Sequence, residues 1–190
     1  AIGEVREKID AGISVNDFGI ELQKVLALGI DGHAEVSGYT LPRGGCLPLL
    51  IEPEGERLVA FKPDRTGFLA EGYPYLTKID GKEIAEWRQA AAVLVPKGSP
   101  QYVLRHCLRL MRELDYLRTL MKLPKKQVVE IELVAGDGKR RSLTLPVATQ
   151  SPVYGVWPRS RSRLLEGNIG YLRLSSMDED AVEAIKTWLP

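Results

Sequence analysis

The chain has 190 residues, 44% of them apolar and 27% charged, with a formal net charge of +1. That length and composition suffice to bury a core, and the near-zero charge excludes overall steering toward nucleic acid or an anionic membrane. No apolar run reaches the roughly 18 residues that a membrane-spanning helix requires, so membrane insertion is not expected.

The first part spans residues 1–40. Ser14, Asn16 and Asp17 are cap residues ahead of an amphipathic helix to Leu28, with Phe18, Leu22, Val25 and Leu26 at helical spacing. Gly29 and Gly32 fit a left-handed helix exit. Residues 33–39 then alternate as a strand, with His33, Glu35, Ser37 and Tyr39 on one face. His33 is one of two histidines in the chain. An imidazole there is either a turn residue or half of a proton-transfer pair, and Asp31 and Glu35 are near enough in sequence to orient it.

The second part spans residues 41–150. Strands are expected over 47–52 and 57–62 around a turn at Pro53-Glu54-Gly55-Glu56, and over 75–79 ahead of an Asp80-Gly81 turn. A helix over 83–93 is followed by a longer one from Ser99-Pro100 to Lys122, with Leu104, Leu108, Met111, Leu114, Leu117 and Met121 on one stripe. Pro124 stops it. Segments 127–135 and 140–147 form a hairpin across Gly136-Asp137-Gly138. Arg105, Arg109, Arg112, Arg118, Lys122, Lys125 and Lys126 make a basic strip. Glu113 and Asp115 interrupt it and no aromatic platform is interleaved, so it reads as a solvated face and no nucleic-acid partner is expected.

Residues 151–190 form a linker around Trp157-Pro158 with Arg159, Arg161 and Arg163, then a strand over 168–174 and a helix after Met177-Asp178-Glu179-Asp180. A single strand and helix cannot close a core, so this part reads as the start of a further, truncated domain. Ser175-Ser176 has no base motif around it and reads as a helix lead-in. Cys46 and Cys107 lack metal-ligand spacing and read as buried free thiols, with a disulfide as the alternative. His106 has no Cys, His or carboxylate at ligand spacing. No metal or cofactor is expected. Trp87, Trp157 and Trp188 read as core or interface anchors. The fold class is α+β.

Four segments, in order, resemble one family. Ile30-Asp31-Gly32-His33 resembles the Gly-Asp-Gly-His segment of the tricorn-like and C-terminal-processing (tail-specific) serine peptidases. The stretch Pro74 to Ile84 resembles the Gly-Asp-x-Ile-x-x-Ile-Asp-Gly-x-x-Val signature of their PDZ-like domain. The hairpin from Val129 to Leu145 resembles that domain's closing strands. Asn168-Ile169-Gly170-Tyr171-Leu172-Arg173-Leu174 is similar to the strand that opens their peptidase domain.

The resemblance implies a small helical N-terminal segment, a PDZ-like, partly open β-barrel with added helices, and the start of an α/β peptidase domain whose serine lies beyond Pro190. It implies an endopeptidase fragment, inactive alone, with a peptide or protein substrate and a separate catalytic domain as partners. His33 matches the tricorn branch's histidine base; the C-terminal-processing branch uses a Ser-Lys pair instead. Gly44, Gly45, Cys46, Leu47 and Leu49 sit where the family's peptide-binding loop falls, where backbone amides would cradle a terminal carboxylate. Pro48, which cannot donate, departs from that pattern, and Thr66-Gly67-Phe68-Leu69 is a rival loop. The family is often exported in bacteria, which favours a periplasmic or secreted location, although tricorn-like members also work in the cytoplasm. The alternative is a stand-alone PDZ-like, peptide-binding adaptor without catalysis.

Overall fold

Alternation along the chain builds a sheet first. In β5 (Val128–Val134), Val129, Ile131 and Leu133 are buried while Val128, Glu130 and Glu132 face outward or the rim, the period of a half-buried strand. A computed structural model places the chain in two units, Ala1–Gly155 and Val156–Pro190. It describes residues 2–29, 31–42, 44–155, 162–174 and 176–188.

In the first unit, β1 (Leu50–Glu54), β2 (Arg57–Phe61), β3 (Tyr75–Ile79), β4 (Lys82–Glu83), β5 and β6 (Arg140–Pro146) form one antiparallel sheet. Its order is β1-β2-β3-β5-β6, with β4 beside β3, and the sheet is open. β1 starts later than expected and extends through Pro53 to Glu54. The hairpin turn is the pair Gly55-Glu56, with Gly55 at φ +60°. Pro53 is tolerated because β1 is an edge, where a missing N–H breaks no ladder. Asp80 (φ 49°) and Gly81 (φ 73°) make the two-residue turn between β3 and β4, a left-handed pair suited to strand twist.

Five helices belong to this unit: α1 (Ile2–Asp10), α2 (Val15–Leu26), α3 (Ile84–Ala92), α4 (Pro100–Leu110) and α5 (Leu114–Leu120). Glu83 and Glu86 form a capping box on α3, and Trp87, fully buried, donates its Nε1–H to the Ile79 carbonyl at 2.9 Å. Ser99 caps α4 ahead of Pro100. Core side chains from sheet and helices, Leu47, Leu49, Ile79, Trp87, Leu117 and Ile131 among them, form one cluster. Cys46 and Cys107 are free and buried within it or at its margin.

Four expectations are corrected in this unit. The stripe from Leu104 to Met121 belongs to two helices, because Met111 to Glu113 leave the helical path. There the Arg112 carbonyl accepts from the Leu47 amide at 2.9 Å and the Asp115 amide donates to the Gly45 carbonyl at 3.0 Å. Residues 33–39 are not a strand. The Val36 amide goes to Gln23 Oε1 at 2.8 Å, and Asn16 pairs with both the N–H and the C=O of Thr40 at 2.7 Å, so α2 side chains stand where a partner strand would. The buried face of α2 is Gly19, Ile20 and Gln23 rather than Phe18, which is exposed. Gly29 and Gly32 do not adopt positive φ; α2 ends through short Leu28-to-Val25 and Gly29-to-Leu26 bonds of 3.1 and 2.9 Å instead.

Arg118, expected on a solvated face, is fully buried. Its Nε donates to Asp80 Oδ2 at 2.9 Å, one terminal nitrogen to Asp115 Oδ1 at 3.1 Å and the Lys126 carbonyl at 2.9 Å, and the other to the Val128 carbonyl at 2.7 Å. Asp80 Oδ1 in turn accepts from the Glu130 amide at 3.1 Å.

The second unit pairs β7 (Arg163–Leu165) with β8 (Ile169–Tyr171) around Gly167 and Asn168, both left-handed, and carries α6 (Glu179–Trp188). Arg163 is therefore a strand residue rather than linker. The expected strand over 168–174 is shorter. Asp178 Oδ1 accepts from the Ala181 amide at 3.3 Å at the start of α6. Trp157, Arg159, Arg161 and Ser175 lie outside the described residues.

Arg118→Ala leaves two buried carboxylates without their cation and is expected to cost about 3–5 kcal/mol. Urea denaturation reads this as a lower midpoint at unchanged slope; a loss under about 1 kcal/mol would show the network to be dispensable.

Candidate functional site

The His33 turn is built locally. Asp31 Oδ1 accepts from the His33 amide at 2.9 Å and lies 3.2 Å from Nδ1 of the same ring, while the Asp31 carbonyl accepts from the Ala34 amide at 3.0 Å. This is an Asx turn, in which a short carboxylate takes a backbone proton two residues on. With Nδ1–H directed at Asp31, Nε2 is the basic nitrogen and points away from the pair. The imidazole is fully exposed. The Asp31 carboxyl is held below its ordinary range, first by the backbone hydrogen bond from His33 and then by the ring. Glu35, two residues on, is exposed and does not touch His33.

The turn is fastened from behind. Tyr102 on α4 donates its hydroxyl proton to the Gly32 carbonyl at 2.5 Å, and a Cβ on Gly32 would sit 3.3 Å from the Tyr102 ring. The Lys97 amide donates to the Gly29 carbonyl at 3.2 Å. Sequence reading passed over Tyr102. Its place three residues after the Ser99 cap, on the face turned away from Cys107 and Leu108, is the only local signal it gives.

The Gly44 to Leu49 segment is occupied by the protein itself. The Gly45 amide donates to Asp115 Oδ2 at 2.7 Å, the Cys46 amide to the Ala148 carbonyl at 2.7 Å and the Leu47 amide to the Arg112 carbonyl at 2.9 Å. Leu47 and Leu49 are fully buried, and Cys46 is buried with its thiol pKa raised, first by burial and then by Glu113 and Asp115. As a carboxylate cradle the loop is already filled, by an internal carboxylate. Its glycines serve close packing: a Cβ on Gly45 would lie 2.1 Å from Val147 Cγ1 and 2.9 Å from Asp115 Oδ2. A cavity of about 630 Å³ borders the loop, with Glu113, Lys126 and Gln150 on its wall. The rival segment at Thr66 is an Asx turn on Asp64, whose Oδ1 takes both the Thr66 amide and hydroxyl protons.

A second cavity, of about 500 Å³, lies between the residues following His33 and helix α4. Glu35, Tyr39, Tyr102, His106 and Arg109 line it. His106 stacks on Tyr102 with ring centroids 4.1 Å apart. Burial, then Arg109 and Arg105, lowers its pKa from the ordinary 6.5 against an opposing contribution from Glu35, which favours the neutral ring. Arg105 and Arg109 are exposed, whereas Arg112 is half-buried with its guanidinium 4.0 Å from the Tyr154 ring centre. Among the described residues no group of His, Cys, Asp or Glu has metal-binding geometry, and no helix is long and apolar enough to cross a membrane.

No family model and no curated protein matches the chain. Among solved structures the chain is similar to the crystal structure of mature CPAF, at 18% identity and a TM-score of 0.36. The likeness covers 54% of this chain and 19% of that one.

Asp31, whose folded-state pKa is depressed, supports the turn at pH values above its unfolded pKa and loses that support as pH falls through the folded one. The His33 amide resonance should therefore titrate with a midpoint below 3.8; a midpoint at or above that value would show the Asx turn is not formed. Gly45→Ala forces Val147 or the Asp115 carboxylate aside and is expected to destabilise the unit by about 1–3 kcal/mol, measured by the same urea titration.

Proposed function

We propose that this chain is the N-terminal and PDZ-like, substrate-binding portion of a serine endopeptidase, and that His33 supplies the general base to a serine carried on a separate catalytic domain. The observation that carries this reading is the Asp31–His33 pair. A carboxylate on Nδ1 fixes the tautomer with its lone pair on Nε2, and that nitrogen is open to a docking partner. The serine hydroxyl would give its proton to Nε2 as Oγ attacks the peptide carbonyl, and the imidazolium would return that proton to the leaving amine. Asp31 would stabilise the imidazolium without taking the proton itself. Glu35 lies too far along the segment for that part and belongs to the substrate side.

The order of motifs supports the PDZ-like assignment: the Asp80-Gly81 turn and the β5–β6 hairpin share one sheet with β3. The substrate is a peptide or protein. Capture of its C-terminal carboxylate by Gly44-Gly45 is not part of this reading, because Asp115 holds the Gly45 amide.

The test uses the full-length protein with its catalytic domain. It should be labelled by a fluorophosphonate and should hydrolyse a denatured protein substrate, whereas the 190-residue chain alone should do neither. His33→Ala should lower kcat/KM by at least about a hundredfold while the protein stays folded by circular dichroism. Near-normal turnover of that variant would remove His33 as the base and point to a Ser-Lys pair; no labelling at all would remove the peptidase reading.

A further inference from the structure

We infer that the 500 Å³ cavity between the His33 segment and α4 is a substrate subsite that takes a large, uncharged apolar side chain of a peptide. This rests on the reading of His33 as the base and extends it to substrate choice. Three observations carry it: the surrounding segments are tied together by internal hydrogen bonds, the lining combines apolar side chains with both donors and acceptors, and the cavity adjoins the His33 turn through Tyr102.

The first tie is Gln23, a buried side chain of α2. Its Nε2 donates to the Leu94 carbonyl at 3.0 Å and its Oε1 accepts from the Val36 amide at 2.8 Å, so one amide ties the segment after His33 to the Leu94 stretch of the cavity lining. Tyr102, on α4 and in the cavity lining, ties α4 to the turn that carries the catalytic candidate, since its hydroxyl donates to the Gly32 carbonyl. A ligand therefore does not have to bring these segments together, which spares binding that entropic cost.

Part of the lining is apolar: Leu41, Leu94, Val95 and Leu110. The rest carries two carboxylates, Glu35 and Glu113, and two N–H donors, Arg109 and His106. Among the described residues none of these four side chains has a hydrogen bond or ion pair to a neighbour. A simple anion would meet Glu35 and Glu113, and a simple cation would meet Arg109. A peptide backbone, which offers an N–H and a C=O at every residue, is complementary to a lining that holds both acceptors and donors, while the apolar part of the lining rewards an apolar side chain. The volume lies in the range of about 300–1,000 Å³ typical of ligand pockets.

The experiment is an ¹⁵N-resolved NMR titration of the 190-residue chain with N-acetyl-Ala-Phe-Ala-amide, and with the Ala-Ala-Ala, Ala-Asp-Ala and Ala-Lys-Ala counterparts. Saturable shifts at Glu35, Tyr102, His106 and Arg109 are expected for the Phe peptide with a Kd near about 1 mM. The other three should bind at least about tenfold more weakly. Leu110→Trp, which fills the cavity, should abolish the shifts. Should that variant fail to fold, Arg109→Glu, at an exposed residue of the lining, should weaken the Phe peptide at least about fivefold. No saturable shift up to about 20 mM, shifts that map elsewhere, or preference for a charged peptide overturns the subsite. Because this readout involves no turnover, it separates the two readings. Binding here with full activity in His33→Ala keeps the subsite and removes the base; the reverse keeps the base and removes the subsite.

Discussion

The buried guanidinium of Arg118 is the constraint on which the larger unit depends. A desolvated cation in a core is tolerated only when its donors are met, because the Coulomb gain alone does not offset dehydration. Here the donors make four bonds to three stretches of chain: the β3–β4 turn through Asp80, α5 through Asp115, and the carbonyls of Lys126 and Val128 where the chain enters β5. The carboxylates pass the constraint onward. Asp80 fixes the Glu130 amide in the neighbouring strand, and Asp115 fixes Gly45. Position and orientation of α5, register of β5 and the path of the Gly45 loop are thus parts of one network, and charge-assisted bonds give it directional specificity that apolar packing lacks.

This network explains why the sequence was readable in some places and misleading in others. Hairpins are local: Asp80-Gly81 and Gly136-Asp137-Gly138 carry their turn geometry in adjacent residues, and β5 carries its alternation, so these elements fall where the pattern puts them. The break between α4 and α5 is not local. Helical periodicity continues through Met111 and Leu114, both fully buried, and what interrupts it is backbone from Gly45 to Leu47, almost 70 residues away in sequence, taking the bonds at Arg112 and Asp115. A strand over 33–39 failed for the complementary reason. Alternation is necessary for a strand but a ladder needs a partner, and Gln23 and Asn16 supply side-chain amides to Val36 and Thr40 instead. Helix α1 escaped notice because it has no buried residue to mark a face; an ion pair of 2.9 Å between Lys8 and Glu21 links it to α2.

The two candidate sites divide along the same line. Asp31 and His33 are two residues apart, so an Asx turn brings them together whatever the rest of the chain does. The glycines at 44 and 45 are ambiguous in sequence, because a missing Cβ serves equally to expose amides to a ligand or to let another part of the protein approach. Only the tertiary partner decides, and the partner is Asp115. Chemically this is the same solution as carboxylate recognition, an anion on a backbone amide, but with the anion supplied from within. A loop of that composition therefore identifies a place where an anion is held, without identifying whose anion it is.

The segment from Asp31 to Leu41 is held differently from the core beneath it. It contributes no strand to the sheet. Its described fastenings are side-chain bonds from α2 and α4: Asn16 and Gln23 on one side, Tyr102 on the other. Elements of this kind, with few buried apolar contacts and no backbone ladder, open at lower free energy than the core they rest on. For a site whose other half would come from a separate domain, that combination is suitable. The Asx turn sets the imidazole tautomer at short range, and Gln23 and Tyr102 fasten the segment to α2 and α4 beside the adjoining cavity. Asp31, two residues away, holds Nδ1 and so leaves Nε2 as the atom that would transfer the proton, while the side chains of Asn16, Gln23 and Tyr102 define where the segment that carries it sits.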